Sequence, residues 1–151
     1  MERKSGVLLI RGDGKKDDFI RIYQEAAGIY QYARKKYEHL TLLGIGTGAV
    51  YAVMLAERFS PDKLVLAPFI GSCADDFIAL IGSMVRGMYM VLADVEMHIP
   101  ESCPDKIYRR LKRFVKDMRS EEKRIIRYIG EQADKSFENM ANGKDVIKML
   151  A

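Results

Sequence analysis

Four short, nearly continuous apolar runs punctuate the first two thirds of the chain: Val7-Leu8-Leu9-Ile10, Leu40-Thr41-Leu42-Leu43, Leu64-Val65-Leu66-Ala67 and Met88-Tyr89-Met90-Val91-Leu92. Continuous runs, as opposed to alternating ones, suit strands buried on both faces, as a parallel sheet covered by helices requires. Between the runs the period changes. Phe19, Ile22, Tyr23, Ala26, Tyr30, Ala33 and Tyr37 recur at three and four and predict an amphipathic helix from about Asp17 to Tyr37. Asp17 and Asp18 fall in its first turn, where the helix dipole favours acids. A second helix, Ala49 to Arg58, is apolar almost all round and is expected to be buried. A third, from about Asp75 to Val85, opens with two acids and stops near Gly87. This βαβαβαβ alternation predicts an α/β fold with a small parallel sheet of about four strands and right-handed crossovers.

Beyond Pro100 the pattern turns helical. Ile107, Tyr108, Leu111, Phe114, Val115 and Met118 form one face of a helix whose other face carries Lys106, Arg109, Arg110, Lys112, Arg113 and Lys116. A further helix is predicted after Ser120, with Ile125, Ile126, Ile129, Ala133, Phe137 and Met140 on its apolar side and Asn142-Gly143 at its end. The tail from Lys144 to Ala151 adds a turn or two. The 151 residues are the size of one domain, which buries roughly two thirds of its chain surface. The expected division is a parallel α/β core over 1–100 and C-terminal helices over 101–151.

Composition changes little in this picture. A hydrophobic fraction of 48% with 30% charged residues excludes a disordered chain, and no fixed-period repeat is present. The net charge of +4 demands no polyanionic partner by itself. Cys73 and Cys103 form neither a disulfide framework nor a zinc pattern and are read as reduced thiols. The first apolar run is too short for a signal-peptide core or a bilayer span, so a cytoplasmic protein with no membrane partner is expected.

The most specific chemistry lies in Gly44-Ile45-Gly46-Thr47-Gly48, between a strand and a buried helix. Glycines there allow a tight turn, and the amides that open the helix form a site suited to an anion. Gly44, Gly46 and Ala49 satisfy a dinucleotide G-x-G-x-x-A pattern, which leaves nucleotide binding as one reading. The acid that fold uses at the end of the following strand is replaced by Leu66-Ala67-Pro68. A Walker loop fails for want of Gly-Lys-Ser/Thr.

The stretch Leu42 to Pro68, LLGIGTGAVYAVMLAERFSPDKLVLAP, resembles the nucleophile-elbow segment of the α/β-hydrolase family: strand, G-x-S-x-G, a helix ending near LA-x-x-x-P-x-K, then a strand running into Ala-Pro. Gly6 to Gly12, GVLLIRG, is similar to that family's early strand ending in His-Gly. Ala93 to Pro100, ADVEMHIP, is similar to its later acid loop. Carried over residue by residue, the resemblance puts Gly46 at the nucleophilic serine and Glu96 at the triad acid, while Arg11 replaces the histidine of His-Gly. The only histidines are His39 and His98, and none follows Pro100, where the triad histidine belongs. Backbone amides of Thr47 and Asp13, the latter after Gly12, keep the places of the oxyanion hole. The resemblance therefore implies a relative without hydrolase machinery. Gly12, Asp13, Gly46 and Thr47 frame a pocket for a small anionic or acyl ligand, and no cofactor is called for. It also implies a shortened core: the strand that flanks the early one and the final strand are both expected to be missing. In the simple order 1-2-3-4 all crossover helices would lie on one face, leaving the other for the C-terminal helices or a second subunit, so a homo-oligomer is expected.

Competing roles remain for several residues. Ser72, Cys73 or Thr47 could act as a displaced nucleophile with Glu96 in a weakened esterase, although the bland identities are a loop serine, a packed thiol and a helix cap. Asp94, Glu96 and His98 alternate past the fourth run and could ligate a metal on an extended backbone. They are read instead as a solvated loop with no metal. The cations from Lys106 to Lys116, continued by Arg119, Lys123, Arg124 and Arg127, are read as a solvated helix face, with no nucleic-acid partner. Met84, Met88, Met90 and Met97 suit an adaptable core or interface.

Overall fold

The computed structural model describes residues 5–12, 19–46, 48–68, 91–101 and 103–127. The apolar runs at the start of the chain become β1 (Ser5–Gly12), β2 (His39–Gly46) and β3 (Lys63–Ala67), joined by the amphipathic α1 (Phe19–Lys36) and the buried α2 (Gly48–Phe59). β4 (Asp94–Ile99), α3 (Asp105–Asp117) and β5 (Lys123–Arg127) follow. All neighbouring strands pair in parallel, in the order β1-β2-β3-β4-β5. With each crossover right-handed and the strands in sequential order, the helices must share a face.

That face carries the main core. Leu8, Ile10, Leu40, Leu42, Leu64, Leu66, Val95, Met97 and Ile99 point to it from the sheet and meet Tyr30 and Ala33 of α1, Ala49 to Ala56 of α2, and Leu111 and Val115 of α3. Tyr30 closes the α1–α2 contact: its ring stacks on Phe59 at 5.0 Å and its hydroxyl donates to the Phe59 carbonyl at 3.3 Å. Burial pushes its phenol above the usual range. At the same, amino end of the strands, Asp62 accepts from the Leu40 amide at 2.7 Å and from Arg34, pinning α1 to the start of β2.

The second face carries Leu43, Ile45, Val65 and Ala67, flanked by Val7 and Leu9. Leu43, Ile45 and Ala67 are 0% exposed, so one chain suffices to shield the centre of this face. A second subunit is not required for that purpose.

Two expectations about the later elements are corrected. The fourth strand was expected at Met88–Leu92, yet Val91 and Leu92 are outside any strand, Leu92 is 64% exposed, and the strand is Asp94–Ile99. Its alternation of Asp94, Glu96, His98 with Val95, Met97, Ile99 is period two, with the polar members turned to the second face. Asp94, Glu96 and His98 are thus strand residues and not a solvated loop. The helix expected after Ser120 begins instead as β5, and the final strand, expected to be missing, is present. Ile125 and Ile126 are β-branched and pair with Met97 and His98. Lys123, Arg124 and Arg127 around them suit an edge strand, which cations protect from further pairing. Among the described residues the sheet therefore has five parallel strands, close to the expected small sheet of about four. The predicted helix over 75–85, with Ser72, Cys73, Met84, Met88 and Met90, lies outside the described residues, as do Asp13, Thr47 and everything after Arg127.

Candidate functional site

The β2–α2 turn is built by glycines for two separate physical reasons. Gly46 has φ 61°, the left-handed region that costs an L side chain about 1–2 kcal/mol. Gly44 lies under α2, where a β-carbon would stand 2.6 Å from the Ala49 Cα and 2.8 Å from the Ala52 Cβ. The first glycine permits the sharp reversal and the second lets the helix sit against the strand. The strand, left-handed glycine and buried helix together make a sharp strand-to-helix reversal at the carboxyl end of the sheet. The residue at its apex has no side chain.

Gly12 and Gly46 are paired across β1 and β2 at the carboxyl end of the sheet. The fold therefore brings together the two members of the predicted pocket that fall within the described residues. Open α/β sheets place ligands at this end, and the start of α2, a 12-residue helix, adds its positive dipole there.

Glu96 lies elsewhere. It occupies mid-β4, level with Val65, whereas Gly46 lies one rung beyond the Ile45–Ala67 pair. Three rungs at about 3.3 Å put Glu96 about 10 Å short of the elbow's level, and β3 separates the two strands. Its surroundings are ionic. Glu96 Oε1 accepts from His98 Nε2 at 2.6 Å. Oε2 accepts from Arg124 Nη2 at 2.7 Å and Nε at 3.1 Å, and from Lys63 Nζ at 3.1 Å. The Glu96 side chain is 11% exposed. Burial pushes its carboxyl upward, but the hydrogen bonds from Arg124, Lys63 and His98 outweigh that and bring the pKa to about 2. Burial pushes His98 below the usual imidazole range despite the pull of Glu96. A neutral ring carrying its proton on Nε2 and donating to Glu96 satisfies both groups.

A cleft of about 390 Å³ opens beside this cluster, lined by Lys63, Asp94, Val95, Glu96, Glu122, Lys123 and Arg124. Lys63, Asp94 and Lys123 are first residues of their strands, so this cleft opens at the amino end of the sheet, away from Gly46. Its three cations and three carboxylates balance. Among the described residues no group of three histidines, cysteines or acids could hold a metal ion.

Lys63 and Arg124 were not singled out as partners of Glu96 in the sequence. They lie 33 positions before it and 28 after it (96 − 63; 124 − 96), and only the register of β3, β4 and β5 brings them together. The period-two pattern of β4 was the available signal. Of the other candidates, His39 is exposed at the start of β2, and Cys103 is buried with its Sγ 3.8 Å from the Pro104 carbonyl.

No family model matches the chain, and no curated protein matches its sequence. Among solved structures, the fold is similar to a monoacylglycerol lipase of Paleococcus ferrophilus, with a TM-score of 0.59 and 12% identity over 94% of each chain. At that identity the likeness is one of fold. No helix among the described residues is long and apolar enough to cross a membrane. The strand order, the left-handed residue at the β2–α2 turn and this neighbour together give the chain an α/β-hydrolase-like core.

Proposed function

We propose that this protein is a non-catalytic binding module on an α/β-hydrolase-like core, holding a small anionic or acyl ligand at the carboxyl end of the sheet. The observation that carries the reading is Gly46, in a left-handed turn at the place of a nucleophile and with no side chain to attack a carbonyl. Backbone donors need no particular side chain, so a pocket at Gly12, Asp13, Gly46 and Thr47 could still receive a carboxylate or carbonyl oxygen. The neighbour's name suggests the probes: a monoacylglycerol and the fatty acid it would release. Calorimetry should show fatty-acid binding by the natural chain that is lost in Gly12→Val, with no monoacylglycerol turnover. Absence of binding to either probe overturns the reading.

One alternative has an observation of its own. The Glu96–His98 pair at 2.6 Å has the chemistry of an oriented imidazole base, which a displaced nucleophile such as Ser72, Cys73 or Thr47 could use in a weak esterase. The clamp of Arg124 and Lys63 on Glu96 and the distance from the elbow weigh against it. Ester turnover abolished by His98→Ala would establish it. Nucleotide binding through Gly44, Gly46 and Ala49 has less support, since β3 ends without an acid; a thermal-shift series with nicotinamide cofactors and ATP should show no stabilisation.

A cytoplasmic homo-oligomer completes the proposal. β1 is the edge strand opposite the cation-bearing β5, and Ile29 and Tyr32 stand exposed on α1 at 51% and 65%. A two-fold pairing of β1 with its copy would extend the sheet. Light scattering should give twice the chain mass, and a monomer at micromolar concentration removes this part.

A further inference from the structure

The outward half of α3 combines high charge with few internal partners. Lys106, Arg109, Arg110, Lys112, Arg113 and Lys116 are all exposed, and among the described residues none of them is in an ion pair. No acid interrupts the helix between Lys106 and Lys116. The flanking acids are Asp105, whose carboxylate is taken by Arg127 at 2.7 Å, and Asp117 at the far end. The wider run of cations seen in the sequence divides in the structure. Arg124 is committed to Glu96, Arg127 to Asp105 and the Cys103 carbonyl, and Lys123 to the Lys116 and Met118 carbonyls. The α3 cations are the remainder outside any ion pair among the described residues, Arg109 making only a 3.4 Å bond from Nε to the Asp105 carbonyl, with exposed Arg119 beyond the helix end.

Their arrangement selects among polyanions. At 100° per residue the cations span an arc of about 160° around the helix, and 13 residues give a rod about 20 Å long. Arg109, Lys112 and Lys116 form one flank, and Lys106, Arg110 and Arg113 the other. A flat anionic bilayer can touch one flank of a convex rod at a time. The apolar side that would insert into lipid is already spent on the core through Leu111 and Val115. A concave groove with phosphates on both walls meets both flanks at once, and an α-helix fits the major groove of a B-form duplex. The cationic flanks carry no aromatic side chain for stacking on single-stranded bases. We propose that the outward face of α3 docks in the phosphate-walled groove of a DNA duplex, without reading its sequence.

The test uses the full chain and a fluorescein-labelled 20-base-pair DNA duplex followed by anisotropy. With about five phosphates neutralised, log K should fall against log salt with a slope of about −4 to −5. Arg110→Gln/Arg113→Gln and Lys112→Gln/Lys116→Gln should each reduce the slope by about 2, because each removes two contacts from a different flank. Unchanged circular dichroism and urea midpoints should accompany both, since these side chains are exposed. Absence of duplex binding at 50 mM salt, or a loss confined to one pair, overturns the proposal. So does tighter binding to phosphatidylserine vesicles, or to single-stranded DNA, than to the duplex.

Discussion

The two ends of this sheet have opposite characters. At the carboxyl end the β2–α2 turn is shaped by the left-handed Gly46 and the close-packed Gly44, neither of which carries a side-chain functional group. Toward the amino end, Lys63, Glu96, Arg124 and His98 form a dense set of ionised and imidazole groups on a plain stretch of strand. Among the described residues, close backbone packing defines the first end and ionic side chains define the second. At the first end the turn geometry follows from the close seating of α2 on β2, whereas at the second the strand geometry is ordinary and the side chains are unusual. A glycine at the apex even removes the strain a nucleophile would introduce.

The comparison can be broken most severely at Gly44. A valine there would drive its β-carbon into the Ala49 backbone, which cannot yield as a flexible side chain would. Gly44→Val should lose about 3 kcal/mol or fail to fold, as read by urea denaturation. A loss below 1 kcal/mol would mean that α2 does not lie on β2 as described.

At the other end the largest effect comes from acid. Glu96 titrates at about 2 in the fold against an ordinary 4.5. Its stabilisation is therefore complete above pH 4.5 and disappears as pH falls toward 2, amounting to about 3 kcal/mol at most. His98, held below its ordinary 6.5 and so favoured neutral, acts in the same direction from higher pH: its contribution is present above 6.5 and lost as pH drops through its lowered value. Glu96→Gln should cost about 2 kcal/mol at pH 7 and flatten the limb between pH 4.5 and 2. An unaltered acid limb in that variant would detach Glu96 from the stability of the sheet.

Smaller effects sharpen the contrast. Gly46→Ala should cost about 1 kcal/mol, because only the left-handed backbone resists it. A cost above about 3 kcal/mol would show packing at the apex beyond that strain. Asp62→Asn should cost less than about 1 kcal/mol in thermal unfolding, since its pair with Arg34 is exposed and an amide oxygen can still accept from Leu40.

How far the fold could be read from the chain follows the same division. β1 to β3, α1 and α2 are legible because their apolar runs and stripes are continuous and each packs against its sequence neighbour. α3 is legible because its cations and apolar residues separate cleanly around the helix. β4 was displaced because Asp94, Glu96 and His98 look like solvent-facing residues until Lys63 and Arg124 are seen to neutralise Glu96. At β5 the sequence pattern points to a helix because Ile125-Ile126 among cations fits either period, and pairing with β4 decides. The elbow was visible as glycines at fixed spacing, and the left-handed φ of Gly46 gives that spacing its reason. The ionic cluster had no local signature, since its members come from three strands.

The proposal that the carboxyl end of the sheet binds without an activated nucleophile is tested by intact-mass analysis after incubation with an excess of an alkyl fluorophosphonate, which phosphonylates activated serine and threonine nucleophiles. The natural chain should retain its unmodified mass while a known serine esterase treated in parallel is fully labelled. A stoichiometric phosphonyl adduct on the native protein, absent after heat denaturation and mapped to any side chain at the carboxyl end of the sheet, would contradict the account.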